Sequence, residues 1–77
     1  MAEKTASELV AFIAKGIVGQ PEAVRVGEKD GGRLLELETS DEDRGRVIGR
    51  QGRVAKAIRS VLAASRAGRD VRLDIVD

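Results

Sequence analysis

The first third of the chain carries apolar residues at the spacing of one helical face. These residues are Leu9, Phe12, Ile13 and Ile17. Thr5 followed three residues later by Glu8 has the form of a capping box, and Pro21 cannot continue a helix. We therefore predict a helix over residues 5–18, ended by Gly19 in the left-handed conformation that glycine accepts. We expect the apolar stripe, with the only aromatic residue of the chain, in the core.

The next stretch alternates apolar and charged residues, which is typical of strands with one buried face. The alternation runs through Val24, Arg25 and Val26, and again through Leu35, Glu36, Leu37 and Glu38. Between these runs, Asp30-Gly31-Gly32 tolerates the positive φ of a tight turn, so the pattern predicts a β-hairpin. Leu34 breaks the alternation. Either it begins the second strand beside the turn, or the other face of that strand is partly covered.

A second, short helix is predicted after the hairpin. Its start is marked by four polar residues: Ser40, Asp41, Glu42 and Asp43. Carboxylates favour the positive end of the helix dipole, so we interpret the three acids as helix-start residues and not as a magnesium site. Gly45 and Gly49 interrupt the helix, which limits its length.

A third helix begins after Gly52 and shows the clearest periodicity of the chain. Its apolar residues are Val54, Ile58, Val61 and Leu62, interleaved with alanines. Gly68 is predicted to end it, which would place Arg66 and Arg69 near the negative end of its dipole. A last strand follows, with alternating Val71, Leu73 and Ile75.

The element order is therefore α-β-β-α-α-β, and it predicts an α+β fold in a single domain of residues 1–77. The hairpin strands pair antiparallel. A helical crossover from the second strand to the last favours a parallel pair with a right-handed connection. The result is a mixed three-stranded sheet packed against three helices.

The composition argues against catalysis. Cysteine and histidine are both absent, which removes disulfides, most zinc sites, thiol nucleophiles and the commonest general base near neutral pH. We therefore expect no enzyme activity, no cofactor and no metal. The sequence also shows neither a signal peptide nor an apolar run long enough to cross a membrane, so we expect a cytoplasmic protein.

The charges separate along the chain although the formal net charge is only +1. Residues 1–43 hold five basic and ten acidic side chains, whereas residues 44–69 hold eight basic and none acidic. The eight are Arg44, Arg46, Arg50, Arg53, Lys56, Arg59, Arg66 and Arg69. Such a segment projects a positive field and suggests an anionic partner. The alternative is that these cations only form surface salt bridges with the acids of the first half.

Gly49 and Gly52 bound a four-residue turn between the second and third helices. Glycine lets an outside group approach the backbone, and the first amides of a helix lack internal partners, so this turn can bind phosphate. Arg50 projects from the turn, while Arg53, Lys56 and Arg59 step along the next helix. The alternatives are a plain interhelical turn and a solvated charged helix face.

The stretch Val47-Ile48-Gly49-Arg50-Gln51-Gly52 resembles the IGxxG signature of KH domains, whose GxxG loop clamps about four nucleotides. The element order resembles the type II KH arrangement over nearly the whole chain, and the size resembles small stand-alone bacterial members. The resemblance implies that residues 49–52 form the clamp, that Val47, Ile48 and Val54 flank a groove, and that the strand near Leu73 forms its other wall. Ile48 and Ile58 are expected in the core. Gln51 departs from the basic or small polar residue of many KH domains.

We therefore predict binding of single-stranded RNA with little sequence selectivity. The candidate RNA-binding residues are Arg46, Val47, Gly49, Arg50, Gln51, Gly52, Arg53, Val54 and Lys56. The resemblance further implies a role as an RNA chaperone, and a homodimer or a heterodimer with a larger KH protein that carries a second nucleic-acid-binding domain. The alternative function is a dimerisation module with little RNA binding of its own, since chains this small often gain stability by association.

Overall fold

The fold was obtained as a computed structural model, which describes residues 5–76. Its helices are α1 (Ala6–Ile17), α2 (Asp41–Ile48) and α3 (Arg53–Ala64), and its strands are β1 (Arg25–Lys29), β2 (Leu34–Glu38) and β3 (Arg72–Ile75). Three single 3₁₀ turns lie at Pro21–Ala23, Asp30–Gly32 and Arg50–Gly52. This order confirms the predicted α+β arrangement.

The three strands form one mixed sheet in the order β1-β2-β3. β1 and β2 are antiparallel, with Arg25 opposite Glu38, and β2 and β3 are parallel, with Leu35 opposite Leu73. The prediction of a hairpin followed by a parallel crossover is therefore confirmed. β3 lies at the edge of the sheet beside α3, and β1 lies at the opposite edge.

The helix-start signals were interpreted correctly for α1. The amide of Glu8 donates to Oγ1 of Thr5 at 3.1 Å, and the amide of Thr5 donates to Oε1 of Glu8 at 2.9 Å. The helix end differs from the prediction, because Val18 ends it in an extended conformation and Gly19 does not have a positive φ. Gly19 instead donates its amide to the carboxylate of Asp43.

The hairpin turn has the backbone that its residues predicted. Asp30, Gly31 and Gly32 all have positive φ, at 55°, 65° and 88°. Leu34 begins β2 directly after the turn. It is also half-buried, as is Glu36 on the same face, so both interpretations of the broken alternation hold.

The core lies between the helices and one face of the sheet. Its largest fully buried side chains are Val10, Leu35, Leu37, Val47 and Leu62. Four apolar residues expected inside lie outside it: Phe12 is 64% exposed, Val61 49%, Ile17 40% and Ile48 37%. The helices form a single layer, so the flank of each helix that is turned away from the sheet is not covered by a further element, and helical periodicity alone does not reveal this.

Two further glycines, besides Gly19, do not act as the sequence predicted. Gly45 lies inside α2 and does not interrupt it. α3 ends at Ala64, so Gly68 and the arginines on either side lie in the following turn and not on the helix. Gly68 is needed for packing, because a β-carbon there would lie 2.5 Å from Cδ1 of Leu62. Among residues 5–76, the helices are all too short or too polar to cross a membrane.

Candidate nucleic-acid interface

The turn between α2 and α3 depends on glycine at its first position. Gly49 has φ 77° and ψ 170°, a region of backbone space that is essentially restricted to glycine. A β-carbon there would also lie 2.7 Å from the backbone nitrogen of Val54 and would overlap its side chain. The sequence therefore folds this turn tightly onto the first residues of α3.

The second half of the turn is open to solvent. Gly52 has φ 74°, and a β-carbon there would meet nothing within 4 Å. Gln51 also has a positive φ, at 58°, which is unusual for a residue other than glycine, asparagine or aspartate. An outside group can thus approach the backbone of Gly52 closely, in contrast to that of Gly49.

The hydrogen bonds of the turn correct the expected set of backbone donors. The amide of Gly52 donates to the carbonyl of Gly49 at 3.1 Å, and the amide of Arg53 donates to the carbonyl of Arg50. These two amides are occupied because the turn continues directly into α3. Within residues 5–76, no backbone acceptor pairs with the amides of Arg50 and Gln51, which leaves these two as the donors of the turn.

Cationic side chains lie around the turn. Arg50, Arg53 and Lys56 are exposed, and Nη2 of Arg53 donates to Oε1 of Gln51 at 3.3 Å. Arg46 lies one helical turn earlier on α2, with a side chain 63% exposed and Nη1 3.5 Å from Oδ1 of Asp43. Arg50, Arg53 and Lys56 thus lie on the turn and on the first residues of α3, whereas the guanidinium of Arg46 is directed back towards Asp43 and Gly19.

The apolar residues beside the turn are distributed differently from the prediction. Val47 is fully buried and offers no surface to a ligand, whereas Ile48, expected inside, is partly exposed. The reason is that α2 packs through Asp43 and Val47, which lie four residues apart on one face, so Ile48 turns outward. Val54 is half-buried and borders the turn through its contact with Gly49.

Asp43 is a structural residue whose role the sequence did not reveal. Its buried carboxylate accepts hydrogen bonds from the amides of Gly19 and Gln20 and from the hydroxyl of Ser40, each at 3.0 Å. These bonds, led by the one from Gly19, hold the pKa of Asp43 below its ordinary value despite the opposing effect of desolvation. Asp43 therefore ties the segment after α1 to α2, the helix that leads into the turn.

Arg59 bridges α3 and β3. Its Nε and Nη2 both donate to the carbonyl of Leu73, at 3.1 and 3.0 Å. The sequence allowed a freely solvated helix face for Arg59. The structure differs, because these two hydrogen bonds attach the side chain to β3. Beside this bridge lies a groove of about 450 Å³, lined by Arg59, Ala63, Val71, Arg72, Leu73 and Asp74.

A second groove lies on the opposite flank of α3, towards α1. It has a volume of about 350 Å³ and is lined only by apolar residues: Leu9, Phe12, Ile13, Ile17, Val54, Ala57, Ile58 and Val61. α3 thus has three faces: one packed on the sheet, one beside β3 with Lys56 and Arg59, and one apolar flank beside α1.

Comparison with known proteins identifies the family. The family model described as "KhpA/KhpB, KH domain" matches residues 7–75. The chain belongs to this family. The KH match includes both helices that flank the Gly49–Gly52 turn, as well as the hairpin and the last strand.

Curated relatives support the same membership. An RNA-binding protein KhpA from Halalkalibacterium halodurans is 52% identical over 73 residues, which cover 90% of this chain and 96% of the relative. An RNA-binding protein KhpA from Leifsonia xyli subsp. xyli is 51% identical over 70 residues, which cover 88% and 92%. Another from Clostridium perfringens is 55% identical over 60 residues, which cover 75% and 80%. No solved structure matched the chain.

Proposed function

We propose that this KH protein binds single-stranded RNA without catalysing a reaction. One observation carries the proposal: the backbone amides of Arg50 and Gln51 have no backbone acceptor, and they lie in a glycine-bounded turn with cationic side chains beside it. Backbone amides of this kind bind phosphate oxygens. The relatives described above are named RNA-binding proteins, which supports RNA as the phosphate-containing ligand.

The residues around the turn have different roles in the proposed RNA binding. The amides of Arg50 and Gln51 hold a phosphate, and the open side of Gly52 lets the sugar-phosphate chain approach. Arg50, Arg53 and Lys56 add full positive charges along the path of the strand, and Arg46, whose guanidinium lies beside Asp43, adds to the positive field from α2. Contacts of this kind read the backbone and not the bases, so the turn itself confers little selectivity. Val54 and the partly exposed Ile48 supply aliphatic surface beside it, while Val47 supports α2 from inside the core.

An amide NMR titration with a single-stranded RNA tests this proposal. We expect the amide signals of Arg50 and Gln51 to shift most, followed by those of Gly52 and Arg53, while the signals of β1 stay in place. Unchanged signals across the turn at saturating RNA would overturn the proposed site.

A second function, association with another KH domain, is favoured by a separate observation. The flank of α3 beside α1 exposes Phe12, Ile17 and Val61, and the groove between these helices is lined by apolar residues alone. The absence of cations from the lining argues against RNA as its ligand. A projecting aromatic residue beside an aliphatic groove is self-complementary, as a two-fold interface requires. We therefore propose a second copy of this chain as the occupant.

Sedimentation of the wild-type chain, with and without an RNA oligonucleotide, tests this association. A dimer that forms in both cases and still binds RNA supports the combined function. A dimer without RNA affinity favours the dimerisation module. A monomer that dimerises only with a larger, KhpB-like KH protein assigns the groove to a heterodimer and overturns the homodimer.

A further inference from the structure

We propose that β1 accepts an extended acidic segment of another protein as a fourth strand of the sheet. The segment carries an aromatic residue opposite Gly27 and acidic residues opposite Arg25 and Lys29. The inference does not depend on the proposed RNA binding, because β1 lies at the edge of the sheet opposite to β3.

The backbone of β1 has hydrogen-bonding groups that β2 does not use. The carbonyl of Leu37 in β2 accepts from the amide of Val76, and backbone groups alternate in direction along a strand, so every second residue of β2 bonds to β1 instead. The residues of β1 opposite these are Arg25, Gly27 and Lys29. Val26 and Glu28 therefore direct their amides and carbonyls outwards. Within residues 5–76, no backbone group pairs with them on that side.

The two edges of the sheet differ in their protection. At β3, the outward carbonyl of Leu73 already accepts two hydrogen bonds from Arg59. At β1, the hydroxyl of Ser7 donates to the side-chain carboxylate of Glu28 at 2.9 Å, a contact that leaves the backbone of Glu28 open. β1 is therefore the edge to which an extended segment can add by backbone pairing.

Gly27 leaves a depression on the face of the sheet that is turned away from the helices. A β-carbon on Gly27 would meet nothing within 4 Å. The depression has a volume of about 220 Å³ and is lined by Arg25, Gly27, Glu36, Glu38 and Val76. Val76 and the methylene groups of the longer side chains give it apolar surface. An aromatic residue directly opposite Gly27 in an added strand would cover this place, and Arg25 can stack on its ring.

The cations of β1 favour an acidic strand. Arg25 and Lys29 lie two residues to either side of Gly27, on the same face of the sheet, and both are exposed. Nζ of Lys29 lies 3.6 Å from Oε1 of Glu36, but its side chain is 62% exposed and can reach a second carboxylate. Opposite charges across neighbouring strands stabilise their pairing. Glu36 and Glu38 line the depression between the cations, which disfavours a phosphate chain at this place.

A second copy of β1 fits this edge poorly. Antiparallel pairing that uses the outward groups of Val26 and Glu28 in both copies is centred on Gly27. That register places Arg25 of each copy opposite Lys29 of the other, and like charges directly opposite each other destabilise a strand pair. The occupant is therefore an acidic segment of another protein and not a second copy.

An NMR titration of the full chain with the capped peptide TDTFTDT tests the inference. We expect the amide signals of Val26 and Glu28 to shift most and to gain protection from hydrogen exchange. The peptide TTDFDTT has the same composition but places its aspartates on the other face of the strand, so it should bind at least fivefold more weakly. Shifts confined to the Arg50–Arg53 turn would show that the peptide only meets the cations there, and would overturn the inference.

Substitution of Gly27 tests the depression. The peptide TDTATDT, which lacks the aromatic ring, should bind the wild-type chain about fivefold more weakly than TDTFTDT. Gly27→Val fills the depression and should bring this ratio near one. The matched control is Gly45→Val, which adds the same side chain at another exposed glycine with nothing within 4 Å, and it should keep the ratio. A ratio that Gly27→Val leaves unchanged would contradict the proposed contact.

Substitution of Lys29 tests the charge. Lys29→Glu should weaken binding of TDTFTDT at least fivefold, whereas Lys15→Glu, the same change of charge on an exposed residue of α1, should leave it unchanged. Equal losses would assign the binding to net charge and overturn the inference. Single-stranded RNA that shifts the amides of Val26 and Glu28 when the peptide does not would also overturn it. Thermal melting confirms that the variants are folded.

Discussion

Gly49 and Val54 lie in contact across the turn that joins α2 to α3, so close that a β-carbon on Gly49 would overlap the valine side chain. The contact explains why the two glycines of the turn, which look equivalent in sequence, have different roles. Gly49 is required for the turn to form, and Gly52 keeps one side of it open.

Replacement of each glycine by alanine should separate these roles. Gly49→Ala adds backbone strain and a steric overlap, each costing about 1–3 kcal/mol, so we expect its free energy of unfolding to fall by roughly 2–6 kcal/mol. Gly52→Ala adds only left-handed backbone strain and should lose about 1–2 kcal/mol. Urea denaturation of the two variants measures the difference, and equal losses would contradict this account.

Acidic substitutions in the turn should leave the fold stable but remove RNA binding. We expect the double substitution Arg50→Asp and Gln51→Asp to abolish RNA binding, because it places carboxylates where phosphate is held. Its melting temperature should change little, since both side chains are exposed and aspartate accepts the left-handed conformation of Gln51 better than glutamine does. Fluorescence anisotropy and thermal melting measure the two effects.

A control for long-range charge effects is Arg25→Asp on β1, the edge of the sheet away from β3. It is compared with the single substitution Arg50→Asp, which makes the same change of net charge, and should retain most of the binding that Arg50→Asp loses. If both variants lost affinity alike, the turn would have no special role. A large loss of stability in the double variant would make the turn structural.

RNA binding should weaken with salt in proportion to the phosphates engaged. For about three phosphates on a single strand, the slope of about −0.7 per contact gives roughly 20-fold weaker binding between 50 and 200 mM salt. A titration series over this range gives the slope. Affinity that does not depend on salt would argue against phosphate as the ligand group.

Asp43 should make the stability of the fold depend on acid pH. Its pKa is lower in the folded chain than in the unfolded chain, so its contribution is fully present above the unfolded value of about 3.8 and is lost as pH falls through the folded pKa. Asp43→Asn should lower the free energy of unfolding at neutral pH. The variant's free energy of unfolding should also fall less steeply than that of the wild type below about pH 4. Denaturation of both proteins at several pH values tests this, and parallel curves would refute it.

The apolar flank of α3 should be needed for the proposed dimer but not for RNA binding. Because Phe12 is 64% exposed, Phe12→Ser is expected to change the stability of the monomer by no more than about 0.5 kcal/mol. It should nevertheless abolish the proposed dimer in sedimentation and leave binding of a short RNA unchanged. A variant that remains dimeric would place the interface elsewhere.

Local sequence signals predicted most of the elements because their causes are local. The capping box of Thr5 and Glu8, the glycine-rich hairpin turn and the alternation around Leu73 each act within a few residues. Element ends were less certain where a distant partner decides them. Gly19 is an example, since its amide is held by Asp43 on another helix.

The position of the turn was predictable from the sequence, but the details of its structure were not. Glycine spacing and the acid-free segment located the turn. Which of its amides are available was not predictable, because the 3₁₀ geometry uses the amides of Gly52 and Arg53 in internal hydrogen bonds and leaves those of Arg50 and Gln51 without an internal acceptor. The exposure of Phe12 and the burial of Val47 depend on which helix flank the sheet covers. The link from Arg59 to Leu73 joins elements that are distant in sequence, so spacing alone did not show it.

The bridge from Arg59 to Leu73 has a consequence for solubility. β3 ends the sheet, and an unprotected outer strand is a template on which further chains can add by backbone pairing. A bulky cation bonded to the outward carbonyl blocks such growth at that point. Loss of this arginine would therefore leave an edge prone to aggregation, whatever its effect on nucleic acid.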